Sequence, residues 1–400
     1  MVMKKFAILF FFVILNFSIP CYSEDITPTI KQDEKKEAII AKDEEFQLLP
    51  DTKQSFIEKV EKNISLFSEN LKERFSIWLS RSTKYIEKMK EILTEKGLPE
   101  DLVYLPLIES GFNVNARSRA KAVGPWQFIE STAKRYGLVI DWWRDERKDP
   151  IKSTVAAAEY LKYLYKMFGD WSLALAAYNA GEGRVYRAVN RFGENDYWNL
   201  LNTTYLPNET KNYVPKYIAA ITIAKQPENY GFDSIKKHES MSYAEINIPS
   251  PTDLAVIAKC AQVDVNTIKE LNPELKRWST PMNVQNYTIR IPEEKKDIFM
   301  SNFEQIPSKK RFSHDTYIVK KGDTVYKIAK KTGLSTTVLY EMNETEIFKQ
   351  LKPGTQIMIP PHDKFTPSNE DKFYEKKSVK KTKVAKKKSS STKNRKKIRR

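Results

Sequence analysis

The chain is poor in the residues that build sulfur and metal chemistry. Among 400 residues there are two cysteines, Cys21 and Cys260, and three histidines, His238, His314 and His362. Two cysteines cannot form a disulfide framework, and histidines so far apart in sequence give no ligand spacing for a metal. Fold and chemistry are therefore expected to need neither, and no cofactor is implied. Long apolar runs are equally scarce. Only Phe6 to Phe17, interrupted by Asn16, stands out, and it is shorter than the roughly 20 residues that cross a bilayer as a helix. Hydrophobic content as a whole is not lacking: 40% of residues are hydrophobic and 12% aromatic. That excludes a wholly disordered chain, and the length leaves room for two or three domains.

Acidic residues run short at one end. Net charge is +17, yet residues 371–400 hold 15 Lys and Arg against Asp371 and Glu375, a local +13, so the other 370 carry only +4. The Lys/Ser-rich end, 365–400, lacks a periodic apolar face and reads as a basic disordered tail. Its only aromatics near the charge are Phe373 and Tyr374, so no specific nucleic-acid binding is read from it. Attraction to anionic wall or membrane polymers is one reading, and a solubilising tail is the other. At the opposite end Lys4-Lys5 precede the apolar run, and Ser18 to Ser23 lead into Glu24-Asp25. Basic, apolar and small-residue regions in that order form a secretory signal over 1–23. Export to the periplasm or cell envelope is expected. Cleavage after Ser23 removes Cys21. The alternative, a lipoprotein signal acylated at Cys21, fits less well because of Pro20 and Ser18.

Residues 24–54 are charged, with Pro28 and Pro50, and read as a linker. From 55 to 97 apolar residues recur at three and four, which predicts an N-terminal helical segment stopped by Gly97 and Pro99. Residues 98–230 stay helical and rich in alanine and aromatics. Asp149-Pro150 caps a helix running to Phe168, Gly169-Asp170 closes it, another begins over Trp171 to Tyr178, and Tyr213 to Ala224 reads as a further short helix. From 243 to 292, and again from 315 to 361, a strand, two helices and a second strand can be drawn, as in a diverged internal repeat.

One acid stands out in the helical region. Glu109 follows Leu105-Pro106-Leu107-Ile108, and a carboxyl set behind an apolar run is partly desolvated, which raises its pKa toward the range of a general acid. Alone this says little. Its company says more: Gly124-Pro125-Trp126-Gln127, Ala177-Tyr178-Asn179 and Glu209-Thr210-Lys211-Asn212-Tyr213 supply the amides and tyrosines that bind sugar hydroxyls and stack on ring faces.

These motifs, in this order, resemble the Slt-type (goose-lysozyme-like) lytic transglycosylases, most closely the membrane-bound lytic transglycosylase D subgroup. The likeness covers about residues 75–230, and Ser118 and Gln127 stand nine and eighteen residues after Glu109, a spacing the family shares. Pro125-Trp126 in place of Leu-Met, and Glu130 in place of a Pro, depart from the wider family. The carboxy-terminal unit resembles a LysM module, with Gly322-Asp323-Thr324 at its first turn. The earlier unit looks like a degenerate copy without that turn, serving as glycan binder, spacer or packing domain. The resemblance implies a multidomain protein: a mainly α lysozyme-like catalytic domain followed by small α+β (βααβ) LysM-type modules.

The resemblance also implies a mechanism. Most glycosidases use two carboxylates; this family uses one. Glu109 would protonate the oxygen between MurNAc and GlcNAc, then take the proton of the MurNAc C6 hydroxyl as that oxygen closes onto C1. Ser110, Ser118, Gln127, Tyr178, Asn179, Glu209 and Tyr213 are carried over as substrate-binding residues on peptidoglycan glycan strands. A lysozyme-type hydrolase using Glu209 or another acid to position water, and a catalytically silent wall-binding protein, stay open.

Overall fold

The computed structural model describes residues 51–193 and 196–374. The signal-peptide reading and most of the linker, and the basic tail from 375 onward, lie outside the described residues. Two compact units meet at Phe312 and Ser313.

The first unit opens with α1 (Asp51–Ser65), starting four residues before the periodicity predicts and continued by a π-helical turn over Leu66–Asn70. Then come α2 (Lys72–Ser82), α3 (Ile86–Glu95), the short α4 (Leu105–Glu109) and α5 (Glu130–Arg135). The centre is built by α6 (Pro150–Phe168) and α7 (Trp171–Ala180). The Asp149 carboxylate accepts from the Ile151 and Lys152 amides, Pro150 occupies the first turn, and Gly169 ends α6 in the left-handed region. Asp170 starts α7 in the same way, accepting from Leu173. Leu173 to Ala177 are all buried, so α7 is covered on every side, as expected of a helix apolar all round. It packs against α6, α8 (Glu182–Phe192) and α10 (Asn208–Lys225), with α9 (Tyr197–Leu200) between the last two in sequence and α1 along α10. Pro215 inside α10 removes one amide donor, and the Lys211 carbonyl it would have met accepts from Tyr197 Oη at 3.3 Å.

A βααβ module completes this unit: β1 (Ala244–Pro249), α11 (Leu254–Ala261), α12 (Val265–Leu271) and β2 (Asn286–Ile291), with α13 (Lys296–Glu304) laid over α11. The strands are antiparallel, Ala244 opposite Ile291, and β1 alternates buried and exposed residues. The module is joined to the helical domain through buried polar groups. Arg290 Nη1 donates to Asp149 Oδ2 at 2.8 Å, with Asp149 0% and Arg290 4% exposed. Asp145 N donates to Glu274 O, Lys276 N to Trp143 O and Arg277 Nε to Trp142 O, while Trp142 meets Trp143 and Trp278 edge to face and those two are tilted against each other.

The second unit repeats the plan: β3 (Asp315–Ile318), α14 (Val325–Thr332), α15 (Thr336–Glu341), the extra α16 (Thr345–Lys349) and β4 (Gln356–Ile359), with Asp315 opposite Ile359. Both modules use one device. After its second helix each carries an asparagine, Asn272 or Asn343, that donates to carbonyls of the helix and of the last strand and accepts from that strand's amide. Residues 365–374, read from sequence as the start of the disordered tail, instead pack on this unit. Ser335 N donates to Asp371 O, Phe373 N to Gly333 O, and Phe373 meets Tyr326 edge to face. Composition missed this because the contacts are made mainly by backbone groups.

Candidate active site

Glu109 ends α4, and the four residues before it are buried. Opposite stands one face of α10, where spacings of four and three align Glu209, Tyr213 and Lys216. Tyr213 Oη donates to Glu109 Oε1 at 2.5 Å, and Lys216 Nζ lies 3.5 Å from the Ile108 carbonyl. Burial pushes the Glu109 carboxyl up to about 7; the Tyr213 hydrogen bond and the Lys216 charge oppose that rise, and the Glu209 charge adds to it. The same burial raises the Tyr213 phenol well above its ordinary value and lowers the Lys216 ammonium, which Glu109 and Glu209 partly restore. The carboxyl can thus hold a proton near neutral pH. Glu209 is exposed and makes no hydrogen bond among the described residues, so its action on Glu109 is through charge alone.

A loop from Gly111 to Phe128 forms another wall. It turns where only glycine fits: a Cβ on Gly111 would lie 2.1 Å from the Trp78 ring, and one on Gly124 would lie 1.8 Å from the Arg147 carbonyl oxygen. Gln127 also takes a left-handed backbone, φ 51°, and its amide donates to Gly124 O at 2.8 Å, leaving its oxygen for a ligand. Ser118 Oγ accepts from the Ala122 amide at 3.1 Å, so its proton is likewise available.

Two of the sequence-predicted contacts are spent on this loop. Ser110 Oγ donates to Pro125 O at 2.8 Å and Tyr178 Oη to Trp126 O at 2.7 Å. Both hydroxyls hold the backbone that presents Gln127. Asn179 Oδ1 accepts from Thr210 Oγ1 at 3.0 Å, which ties α7 to α10 and leaves the Asn179 amide hydrogens outward.

Sequence reasoning missed the roles of three residues here. Lys216 is three residues beyond the last motif position, and its helical spacing was the available signal. Arg147, paired twice with Asp145 at 2.8 and 2.7 Å, donates to the Lys121 and Phe128 carbonyls and clamps the loop from behind. Trp126, fully buried, donates its indole N–H to Thr154 at 2.8 Å. Neither the Arg147 clamp nor the Trp126–Thr154 bond follows from local pattern.

Three family models match the chain: "Transglycosylase SLT domain" over residues 87–201, "Lytic transglycosylase MltD, LysM-like domain" over 242–308 and "LysM domain" over 317–360. The chain is 34% identical over 294 residues to membrane-bound lytic murein transglycosylase D of Escherichia coli strain K12, covering 70% of this chain and 64% of that protein. It is 35% identical over 113 residues to peptidoglycan transglycosylase gp16 of Escherichia phage T7, covering 25% of this chain and 9% of that one. Among solved structures, the 70 kDa soluble lytic transglycosylase of Escherichia coli aligns with TM-score 0.32 and 23% identity, over 44% of this chain and 30% of that one. The chain spans 64% of the length of the murein transglycosylase D sequences, less than two thirds, and it carries in order a transglycosylase SLT domain, an MltD-type LysM-like domain and a LysM domain.

Proposed function

We propose that this protein is an exported peptidoglycan lytic transglycosylase with Glu109 as its single acid and base. The observation that carries the reading is a desolvated carboxyl, lifted to about 7, with one oxygen held by Tyr213 and no other carboxylate sharing a hydrogen bond with it among the described residues. Its second oxygen, Oε2, is the one left to meet substrate. Protonated Glu109 gives its proton to the β-1,4 bridging oxygen, GlcNAc leaves with a free 4-hydroxyl, and the C1–O bond of MurNAc breaks. The carboxylate then takes the C6 hydroxyl proton while O6 bonds to C1, which yields a 1,6-anhydro-MurNAc end and consumes no water. One group serving twice needs a pKa near the working pH. Ser118, Gln127 and Asn179 offer free hydrogen-bonding atoms to the sugar, Glu209 shapes the electrostatics of the cleft wall, and Ser110 and Tyr178 hold the loop.

The LysM module at 315–361 would retain the enzyme on wall glycan, and the basic tail would add attraction to anionic wall or membrane polymers that salt releases. The relatives named membrane-bound, together with the basic-apolar start of the sequence, support the cell envelope as location. Among the described residues no helix is long and apolar enough to cross a membrane.

Mass spectrometry of products released from purified peptidoglycan tests this, with Glu109→Gln alongside. Anhydro-muropeptides that vanish in the variant are expected. Reducing MurNAc ends would instead establish a hydrolase, and no release from either protein would leave a wall-binding role.

A further inference from the structure

Beyond the cleft, α8 carries an arrangement the glycan chemistry does not use. Arg184, Arg187 and Arg191 follow one another at three and four residues, so they share one face, while Val185 and Ala188 beside them are buried and fix the helix, Ala188 at the floor of the groove. Together with Asn190 and with Tyr205 from the α9–α10 connection they line a cavity of about 330 Å³. The Arg191 guanidinium lies 5.8 Å from the Tyr205 ring centroid. All three arginines are exposed and none has an ion-pair partner among the described residues. The acid nearest in sequence, Glu182, is already engaged by Arg135 at 3.1 Å and Tyr160 at 3.0 Å. Three like charges stacked on one face weaken a helix, and among the described residues no ion pair offsets that cost.

The chemistry of the lining selects the ligand. Planar guanidinium groups pair bidentately with carboxylates. Tyr205 adds an apolar face and Asn190 an amide that can both give and accept, which suits an extended peptide better than a compact inorganic anion. Position points the same way. Arg184 stands five residues after Asn179 and Tyr205 five residues before Thr210, and Asn179 and Thr210 are hydrogen-bonded to each other at the cleft wall. Both walls of the arginine groove therefore run out of that wall. We propose that this groove binds carboxylates of the peptide stems borne by the glycan strand, making Arg184, Arg187 and Arg191 determinants of preference for peptide-bearing substrate. The inference rests on the glycan-cleaving reading above and names a further subsite for it.

The test compares the full mature chain with its triple variant Arg184→Gln/Arg187→Gln/Arg191→Gln, both also carrying Glu109→Gln for binding measurements. The probes are a GlcNAc–MurNAc disaccharide bearing a tetrapeptide stem and the same disaccharide without peptide. The triple variant is expected to bind the stem-bearing probe about tenfold more weakly or worse, as loss of charge-assisted contacts predicts, and the bare disaccharide unchanged. In turnover, with Glu109 restored, KM for stem-bearing strands should rise with kcat held, and strands stripped of stems by an amidase should be cleaved as before. Equal affinity of parent and variant for the stem-bearing probe overturns the proposal, as does equal weakening toward both probes. Loss of binding only to a phosphate-rich wall polymer would also overturn it. Should neither protein cleave any strand, the transglycosylase reading fails while the binding arm still decides the groove. The single reversal Arg187→Glu gives the same comparison with one exposed substitution, in case the triple variant folds poorly.

Discussion

The two βααβ modules share a plan and differ in what surrounds them. Each closes its hairpin with an asparagine clamp, Asn272 in the first and Asn343 in the second. In the first module the connection between α12 and β2 is turned toward the helical domain: Glu274, Leu275, Lys276, Arg277 and Asn283 all make contacts with residues 141–145. In the second module the matching connection is largely exposed from Gln350 to Thr355, and the unit is closed by its own residues 365–374. One fold thus serves as an internal brace where its loop is buried against the helical domain, and keeps that loop open where it forms a unit by itself. The brace reaches the candidate site, since Asp145 donates its amide to Glu274 O and with its carboxylate holds Arg147, which clamps the loop presenting Gln127.

Breaking a charge pair in each module should separate them most. Arg290→Met leaves Asp149 buried without its partner and takes away a buried cation, so a loss of about 3–5 kcal/mol in the first unit is expected, read as a fall in denaturant midpoint. All seven tryptophans lie in that unit, so their fluorescence reports it alone. The corresponding break in the second module, Lys331→Met, removes a half-exposed lysine and leaves Asp323 still accepting from the Lys320 amide and the Tyr317 hydroxyl, so amide exchange there should quicken by much less. A drop in the second module as large as in the first would end the comparison.

The asparagine clamps should behave alike instead. Asn272→Ala and Asn343→Ala each leave strand and helix backbone groups unsatisfied, at a cost of about 1–3 kcal/mol, measured by tryptophan emission for one and amide exchange for the other. Sharply unequal losses would show that the shared geometry is not a shared source of stability.

Acidity should move the modules in opposite directions. Burial and the nearby Asp149 hold the Glu274 carboxyl above its ordinary range, with one oxygen lacking any partner. Its folded form keeps the proton longer than the unfolded chain does, so the first unit loses stability as pH rises from the ordinary glutamate range toward neutrality. Glu274→Gln should flatten that loss and raise the unfolding temperature above pH 7 by about 2 °C or more. In the second module Asp323 is held down to about 2, chiefly by Lys331 and the Lys320 amide. Its contribution is complete above the ordinary aspartate value and disappears as pH falls through about 2, seen as amide exchange that quickens on acidification.

The smallest expected effect lies in the cleft. If Glu109 must start protonated, kcat/KM declines above about pH 7. Glu209→Gln removes a repelling charge and should move that decline to lower pH, while Lys216→Met should move it higher. Identical profiles for both variants would mean that neither charge reaches the acid.

Much of this was legible before any coordinates. The cap at Asp149-Pro150 and stop at Gly169, the helix Val325–Thr332, the βααβ order and the motif sequence around Glu109, Gln127, Tyr178-Asn179 and Tyr213 all depend on neighbours within a turn or two, and near-neighbour chemistry is written in the local string. What needed tertiary structure involves partners far apart. Ser110 and Tyr178 donate to the Pro125 and Trp126 carbonyls because the loop carrying those two residues folds over them. Asp149 is both a helix cap and the anchor of Arg290, 141 residues away. The elevated carboxyl of Glu109 exists because distant helices exclude water from it, and no stretch of sequence carries its own desolvation.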